Sequence, residues 1–164
     1  MTRRGAGAGF TLLEILVVVA VLGIAAAIGY ATLESDDRGT LEREARRFAG
    51  ALEYAAQRAQ VAHETLGVSA QGSEWRFWRR GEDGRWLAMA GDDALAPRTL
   101  PAAVSASARA YAGRPLAADA VVPLRASGRN EPYAFVLSAR DYAATVTGDP
   151  LNRVAIDGPH PLAR

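Results

Sequence analysis

The sequence predicts an α+β protein, with a long N-terminal helix, membrane-spanning in its first half, packed on antiparallel β-sheet. Three observations predict it. An apolar run extends from Ile15 to Leu33, and helical periodicity resumes from about Thr40 to Glu64. Beyond Glu64 the apolar residues recur at every second position.

The first element follows a short leader, Met1 to Gly9, which is rich in Gly and Ala and carries Arg3 and Arg4. From Phe10 to Leu33 the single charged side chain is Glu14. About 20 residues at 1.5 Å rise cross a 30 Å hydrocarbon core, so residues 10–33 suffice as a span. A carboxylate inside such a segment costs about 2.5–3.5 kcal/mol on insertion scales, so its presence asks for a role. Arg3 and Arg4 precede the run and no basic residue follows until Arg38, which puts the N-terminus in the cytoplasm. The remainder is then extracytoplasmic, and in a two-membrane bacterium periplasmic.

Other targeting signals fit less well. A secretory signal has a 7–15-residue apolar core with its cleavage site after it. Here the run is longer, and the Ala25-Ala26-Ala27 match lies inside it. The Arg3-Arg4 pair lacks the twin-arginine consensus that would follow it. A plain signal anchor leaves Glu14 and the Gly9-Phe10 junction unexplained.

Residues 34–64 are expected to continue the helix as an amphipathic half. The polar stretch Ser35-Asp36-Asp37-Arg38-Gly39 reads as a break or bend. Leu41, Ala45, Phe48, Leu52, Ala55, Ala59 and Ala62 then recur at intervals of three and four, one apolar stripe suited to packing on a sheet. Glu42, Arg43, Glu44, Arg46, Arg47, Glu53 and Arg58 occupy the other faces. The apolar half contains no Pro, so any kink there falls to Gly23 or Gly29.

Residues 65–164 read as a β-rich domain. Strands are expected at Thr65–Ala70, Glu74–Arg80, Arg85–Met89, Val104–Tyr111, Val121–Arg125, Tyr133–Ala139, Tyr142–Gly148 and Arg153–Asp157. Gly81-Glu82-Asp83-Gly84 is a turn between the second and third. Gly91-Asp92-Asp93, Ala96-Pro97, Ala112-Gly113-Arg114-Pro115 and Ser127–Pro132 read as breakers.

Composition narrows the function. The formal charge is +1, and −1 without Arg3 and Arg4, so no global basicity argues for nucleic acid. Cysteine is absent, which removes disulfides and thiolate sites. His63 and His160 are isolated in sequence, so no metal site is expected. Asp36-Asp37 and Asp92-Asp93 lack the acid spacing of a calcium loop. No Gly-x-Ser-x-Gly elbow or comparable arrangement is present, so neither an enzyme nor a cofactor is expected.

The leader charge, Gly9, Phe10-Thr11-Leu12-Leu13-Glu14 and the apolar helix, in that order, resemble the class III signal of type IV pilins and pseudopilins. That resemblance implies cleavage after Gly9 by a prepilin peptidase and methylation of the new Phe10 amine. It further implies that Glu14 pairs with the Phe10 amine of a neighbouring subunit during assembly. Leu41-x3-Ala45-x2-Phe48-x3-Leu52, Leu66-Gly67-Val68, Trp75-x-Phe77, Gly84-Arg85-Trp86 and Arg98-x-Leu100-Pro101 look like the GspH/FimT family of minor pseudopilins and pilins. Leu124-x3-Gly128-x3-Pro132-Tyr133-x-Phe135-x-Leu137 resembles the same family's C-terminal strand pair.

On the type II secretion branch the resemblance implies a low-copy subunit at or near the tip of a periplasmic pseudopilus, supporting export of folded proteins across the outer membrane. Its implied partners are other minor pseudopilins, the major pseudopilin, the prepilin peptidase and the inner-membrane assembly platform. The alternative is a FimT/FimU-like minor pilin of the type IV pilus branch that binds DNA during uptake. The strand Trp75–Arg80 keeps that alternative open, because aromatic and Arg side chains can stack bases and neutralise phosphates. Arg76, Trp78 and Arg80 share one face by alternation and are its candidate contacts. The competing reading turns Trp75 and Phe77 into the core and lays the Arg side chains over the exposed face. Near-neutral charge and a C-terminal tail with one Arg, Arg164, weigh against nucleic acid.

Overall fold

The structure, a computed structural model, describes residues 12–89 and 91–162, with side chains at 28–36 left undescribed. The chain divides into two compact units, residues 1–36 and residues 37–164. Helix α1 is Leu12–Val61. The stretch 35–39 is thus helical and not a break. Ser, Asp and Gly each cost at most about 1 kcal/mol in a helix interior, which neighbouring contacts can offset. Asp37 is held by Arg140 at 3.0 Å, and Arg43 donates to the Thr40 hydroxyl at 2.8 Å.

α1 ends at Val61, three residues before the expected Glu64, and its last turn is closed by backbone hydrogen bonds. His63 adopts φ 54°, its N–H donates to the Gln60 carbonyl, and the Glu64 N–H donates to the Ala59 carbonyl at 3.1 Å. This is the Schellman pattern with His63 in the position glycine usually takes. His63 is therefore a helix-capping residue.

The strands are β1 Leu66–Gly72, β2 Glu74–Arg80, β3 Trp86–Ala88, β4 Arg98–Thr99, β5 Val104–Tyr111, β6 Arg114–Pro115, β7 Val122–Leu124, β8 Tyr133–Ala139, β9 Tyr142–Gly148 and β10 Val154–Pro161. They form one antiparallel sheet in the order β10-β9-β8-β5-β1-β2-β3, with β4 on β2, β6 on β5 and β7 on β1. β1 and β5 share only the pairs Gln71↔Ser107 and Gly72↔Ala106, so the sheet narrows there.

Two strands are absent from the sequence expectation: β4 follows the breaker Ala96-Pro97, and β6 lies inside the breaker Ala112-Gly113-Arg114-Pro115. β4 is held by pairing with Glu74 and Trp75 of β2. β6 returns on β5 through a two-residue turn, Ala112-Gly113, in which both residues have positive φ. That geometry matches strand twist and closes a hairpin despite the unfavourable alanine. β10 runs on to Pro161 beyond a bulge between Asp157 and His160. It lies at the sheet edge, where a proline sacrifices no ladder bond to a neighbour.

The core forms where the α1 stripe meets the sheet. Leu41, Ala45, Phe48, Leu52, Ala55 and Ala59 are fully buried, whereas Ala62, past the helix end, is exposed. The Phe48 ring meets Phe135 edge-on at 5.1 Å and Trp75 at 5.4 Å, and Trp75 meets Phe77 at 5.6 Å. Burying a side chain such as Phe48 stabilises by about 1.5–3 kcal/mol. The inward residues of β8, Tyr133, Phe135, Leu137 and Ala139, alternate with half-buried ones, as a sheet with one covered face requires.

Candidate functional site

The first candidate region is the N-terminal part of α1. Gly9 and Phe10, the expected cleavage and methylation positions, lie outside the described residues. Glu14 falls in the first turn of α1 and is exposed. Around it Leu12, Leu13, Ile15, Leu16, Val17, Val18, Val19, Val21, Leu22 and Ile24 are all exposed, from 48% for Val18 to 83% for Leu12. A helix that is apolar on every face belongs in lipid or among other helices. A Cβ at Gly23 would meet nothing within 4 Å. Among the described residues no helix is long and apolar enough to cross a membrane; the expected span, residues 10–33, lies partly outside them.

The second candidate is the outer face of β2. Trp75 and Phe77 point into the core, as the competing reading of that strand expects. Arg76 is closed by a two-pronged contact with Glu74, at 2.7 and 2.8 Å, which also raises its pKa above the ordinary arginine value. The Trp78 indole donates to Ser69 Oγ at 2.8 Å, and the Arg80 guanidinium lies 5.6 Å from the centre of the Trp86 ring. The structure therefore brings Arg76, Trp78 and Arg80 to one face but engages each with a neighbour. Arg76 and Trp78 line a groove with Glu74 and Asp119, which add negative charge where a phosphate would sit.

One acid of each of the two Asp pairs is engaged as well. Asp92 pairs with Arg58, and Asp37 with Arg140. His160 contacts Asp157 at 2.9 Å. Among the described residues no cluster of three or more metal-ligating side chains occurs.

A third region was not apparent in the sequence. Glu44, which the sequence placed on an outer face, is 5% exposed. Arg98 of β4 meets its carboxylate with two contacts at 2.9 and 3.0 Å, and Arg47 adds one at 3.2 Å. The Glu44 hydrogen bond raises the Arg98 pKa above the ordinary value. Together with Arg58–Asp92, this pair straps the segment between β3 and β4 onto α1. Beside the strap lies a groove of about 680 Å³. Trp75 lines it, and the buried indole Nε1 of Trp75 has no hydrogen-bond partner. Leaving such a group unpaired costs about 1–3 kcal/mol. The signal available in the sequence was an acid, Glu44, one position from a stripe that needed only apolar residues.

Residues 6–30 match the prokaryotic N-terminal methylation motif. The type II secretion system protein H of Aeromonas hydrophila is 32% identical over 101 residues, covering 60% of this chain and 55% of that protein. The protein of the same name from Escherichia coli K12 is 36% identical over 91 residues, covering 52% and 54%. The matches thus span about half the length of these curated relatives. Among solved structures, the minor pseudopilin EpsH of Vibrio cholerae superposes with a TM-score of 0.61 at 13% identity, covering 77% of this chain and 99% of that one. The solution structure of Escherichia coli GspH gives 0.57 at 21% identity, covering 73% and 89%. The fold is that of the minor pseudopilin H. The resemblance to the GspH/FimT family carried by Phe10–Glu14 and by the helix and strand motifs is borne out. In this pseudopilin-H fold the helix stripe from Leu41 to Ala59 packs on the sheet.

Proposed function

We propose that this chain is a minor pseudopilin of the type II secretion system, a low-copy structural subunit at or near the pseudopilus tip. The observation that carries the reading is the collar of exposed apolar side chains from Leu12 to Ile24 around a single carboxylate, Glu14. Such a surface is unstable in water and needs either lipid or a bundle of like helices. Residues 10–33 serve first as the inner-membrane anchor, with residues 34–164 on the periplasmic side. They then move into the helical core of the fibre, where Gly23, Ala25, Ala26, Ala27 and Gly29 allow backbones to approach.

Cleavage after Gly9 by the prepilin peptidase removes Arg3 and Arg4 and frees the amine of Phe10. That amine pairs with Glu14 of a neighbouring subunit. Two buried charges that meet lose less than two buried apart, so the pair sets register even where its net stabilisation is small. The partners are the other pseudopilins and the inner-membrane assembly platform. The chemistry of this subunit is assembly, and no reaction is assigned to it.

The test is co-purification of the full-length chain with pseudopilins from the same cells, with a salt-dependent DNA-binding assay on the same sample. Stoichiometric capture without DNA binding is the expected result. DNA binding that falls with salt, without pseudopilin capture, overturns the reading in favour of the pilus branch.

A further inference from the structure

The outer face of β1 and β2 carries a groove of about 350 Å³, lined by Ser69, Gln71, Glu74, Arg76 and Trp78, with Asp119 from the loop between β6 and β7. Trp78 is its aromatic wall. The indole N–H is bound to Ser69 Oγ at 2.8 Å, which fixes the ring, and the residue stays half-buried. The core does not use it, since its neighbours in the strand, Trp75 and Phe77, take the inward positions. The rest of the lining is polar. Arg76 and Glu74 are joined by contacts at 2.7 and 2.8 Å, yet their side chains remain 46% and 33% exposed. The guanidinium keeps N–H donors and the carboxylate keeps lone pairs for a further group. Gln71 and Asp119 are exposed and hold no partner among the described residues.

These side chains disfavour three kinds of occupant. A phosphate meets the carboxylates of Glu74 and Asp119. A cation meets the Arg76 guanidinium, which already answers Glu74. An apolar segment takes water from the polar lining and returns no hydrogen bond. What fits is a neutral group with an apolar face and a rim that both donates and accepts. A pyranose ring has that form: its C–H groups lie against an aromatic ring, and its hydroxyls bridge donors and acceptors.

We infer that this groove binds a sugar ring of a neutral glycan chain, stacked on the Trp78 indole, with its hydroxyls held by Asp119, Gln71 and the Glu74–Arg76 pair. The volume lies at the small end of ligand sites, which run from about 300 to 1,000 Å³, and suits a single ring. The inference goes beyond the proposed function: it concerns the outer face of the β-rich unit and not the assembly helix, so either can fail without the other.

The test takes the full-length chain in a detergent without a sugar headgroup and titrates it with chitotetraose and with cellotetraose, followed by saturation-transfer NMR on the sugar. Binding of at least one is expected, with the strongest transfer to ring C–H protons. Preference between them tells whether the glycan is built from amino sugars or from plain glucose units. Trp78→Ala and, separately, Asp119→Ala are each expected to weaken binding about tenfold, the loss of one good contact. Tyr54→Ala, at an exposed position of α1, is the control and is expected to bind as the parent does. Asp119→Ala changes an exposed loop residue, so urea unfolding that matches the parent separates loss of the site from loss of the fold. No transfer to either sugar at millimolar concentration, binding unchanged in both variants, or tighter binding of tetralysine that falls with salt overturns the inference.

Discussion

Glu44 of α1 and Arg98 of β4, fifty-four positions apart, form a two-pronged ion pair that ties the helix to the segment crossing it. Glu44 is buried and Arg98 about one-third exposed, so the carboxylate has given up its water for this partner. Glu44→Ala is expected to destabilise by about 2–3 kcal/mol, since it strands a partly buried guanidinium. Replacing both residues by Met is expected to cost less than the sum of the single changes. Urea unfolding in a double-mutant cycle measures the difference.

Tyr133 supplies a pH dependence. Burial, reinforced by the nearby charges of Glu53 and Asp149, pushes its phenol up to about 12 from an ordinary value of 10.0. The folded state therefore holds this proton more tightly than the unfolded chain. Its contribution is complete below pH 10 and is lost as pH rises toward 12. One pKa unit corresponds to about 1.4 kcal/mol, so the loss over that window is about 2–3 kcal/mol. Denaturant unfolding at stepped alkaline pH is expected to show this slope in the parent and not in Tyr133→Phe.

The same ring covers Gly148, its register partner on β9. A Cβ at Gly148 would lie 2.1 Å from Tyr133 Cζ and 2.4 Å from Cε1. Gly148→Ala is expected to destabilise by about 1–3 kcal/mol through overpacking. In a Tyr133→Ala background the same substitution is expected to cost little, because the ring it collides with is gone. Thermal unfolding of the four proteins reads the coupling.

Gly67 makes a comparable gap under Trp86. A Cβ there would stand 2.7 Å from Trp86 Cζ3 and 2.5 Å from Val121 Cγ1. Trp86 is only half-buried, so it can swing away, taking the Arg80 contact with it. Gly67→Ala is expected to shift tryptophan emission to longer wavelength with a stability loss near 1 kcal/mol, at the low end of overpacking costs. An unchanged spectrum would show that Val121 yields instead.

Glu14 tests assembly without testing fold. Glu14→Ala removes an exposed charge far in sequence from the β-rich unit, so membrane insertion, leader cleavage and the unfolding of residues 37–164 are expected to stay as in the parent. Co-purification with partner pseudopilins is expected to fall. Normal incorporation of the variant would remove Glu14 from the proposed mechanism.

The local elements were legible in the sequence because each has a period and an end signal. The stripe Leu41–Ala59 reads at three-four spacing, and β2, β5, β8 and β9 alternate between bounding breakers, so their limits follow from side-chain chemistry alone. The Phe10–Glu14 motif and its apolar run were likewise complete in one dimension. Tertiary structure alone decided what depends on partners distant along the chain. β4 is a strand because Trp75 pairs with Arg98, and β6 because Tyr111 pairs with Arg114, whereas neither has a pattern of its own. Glu44 is buried because Arg98 comes to it, and Arg76 is spoken for because Glu74 shares its face. A hydrophobic period is a property of one segment. Whether a charge is free or answered is a property of two segments that meet only in the folded chain.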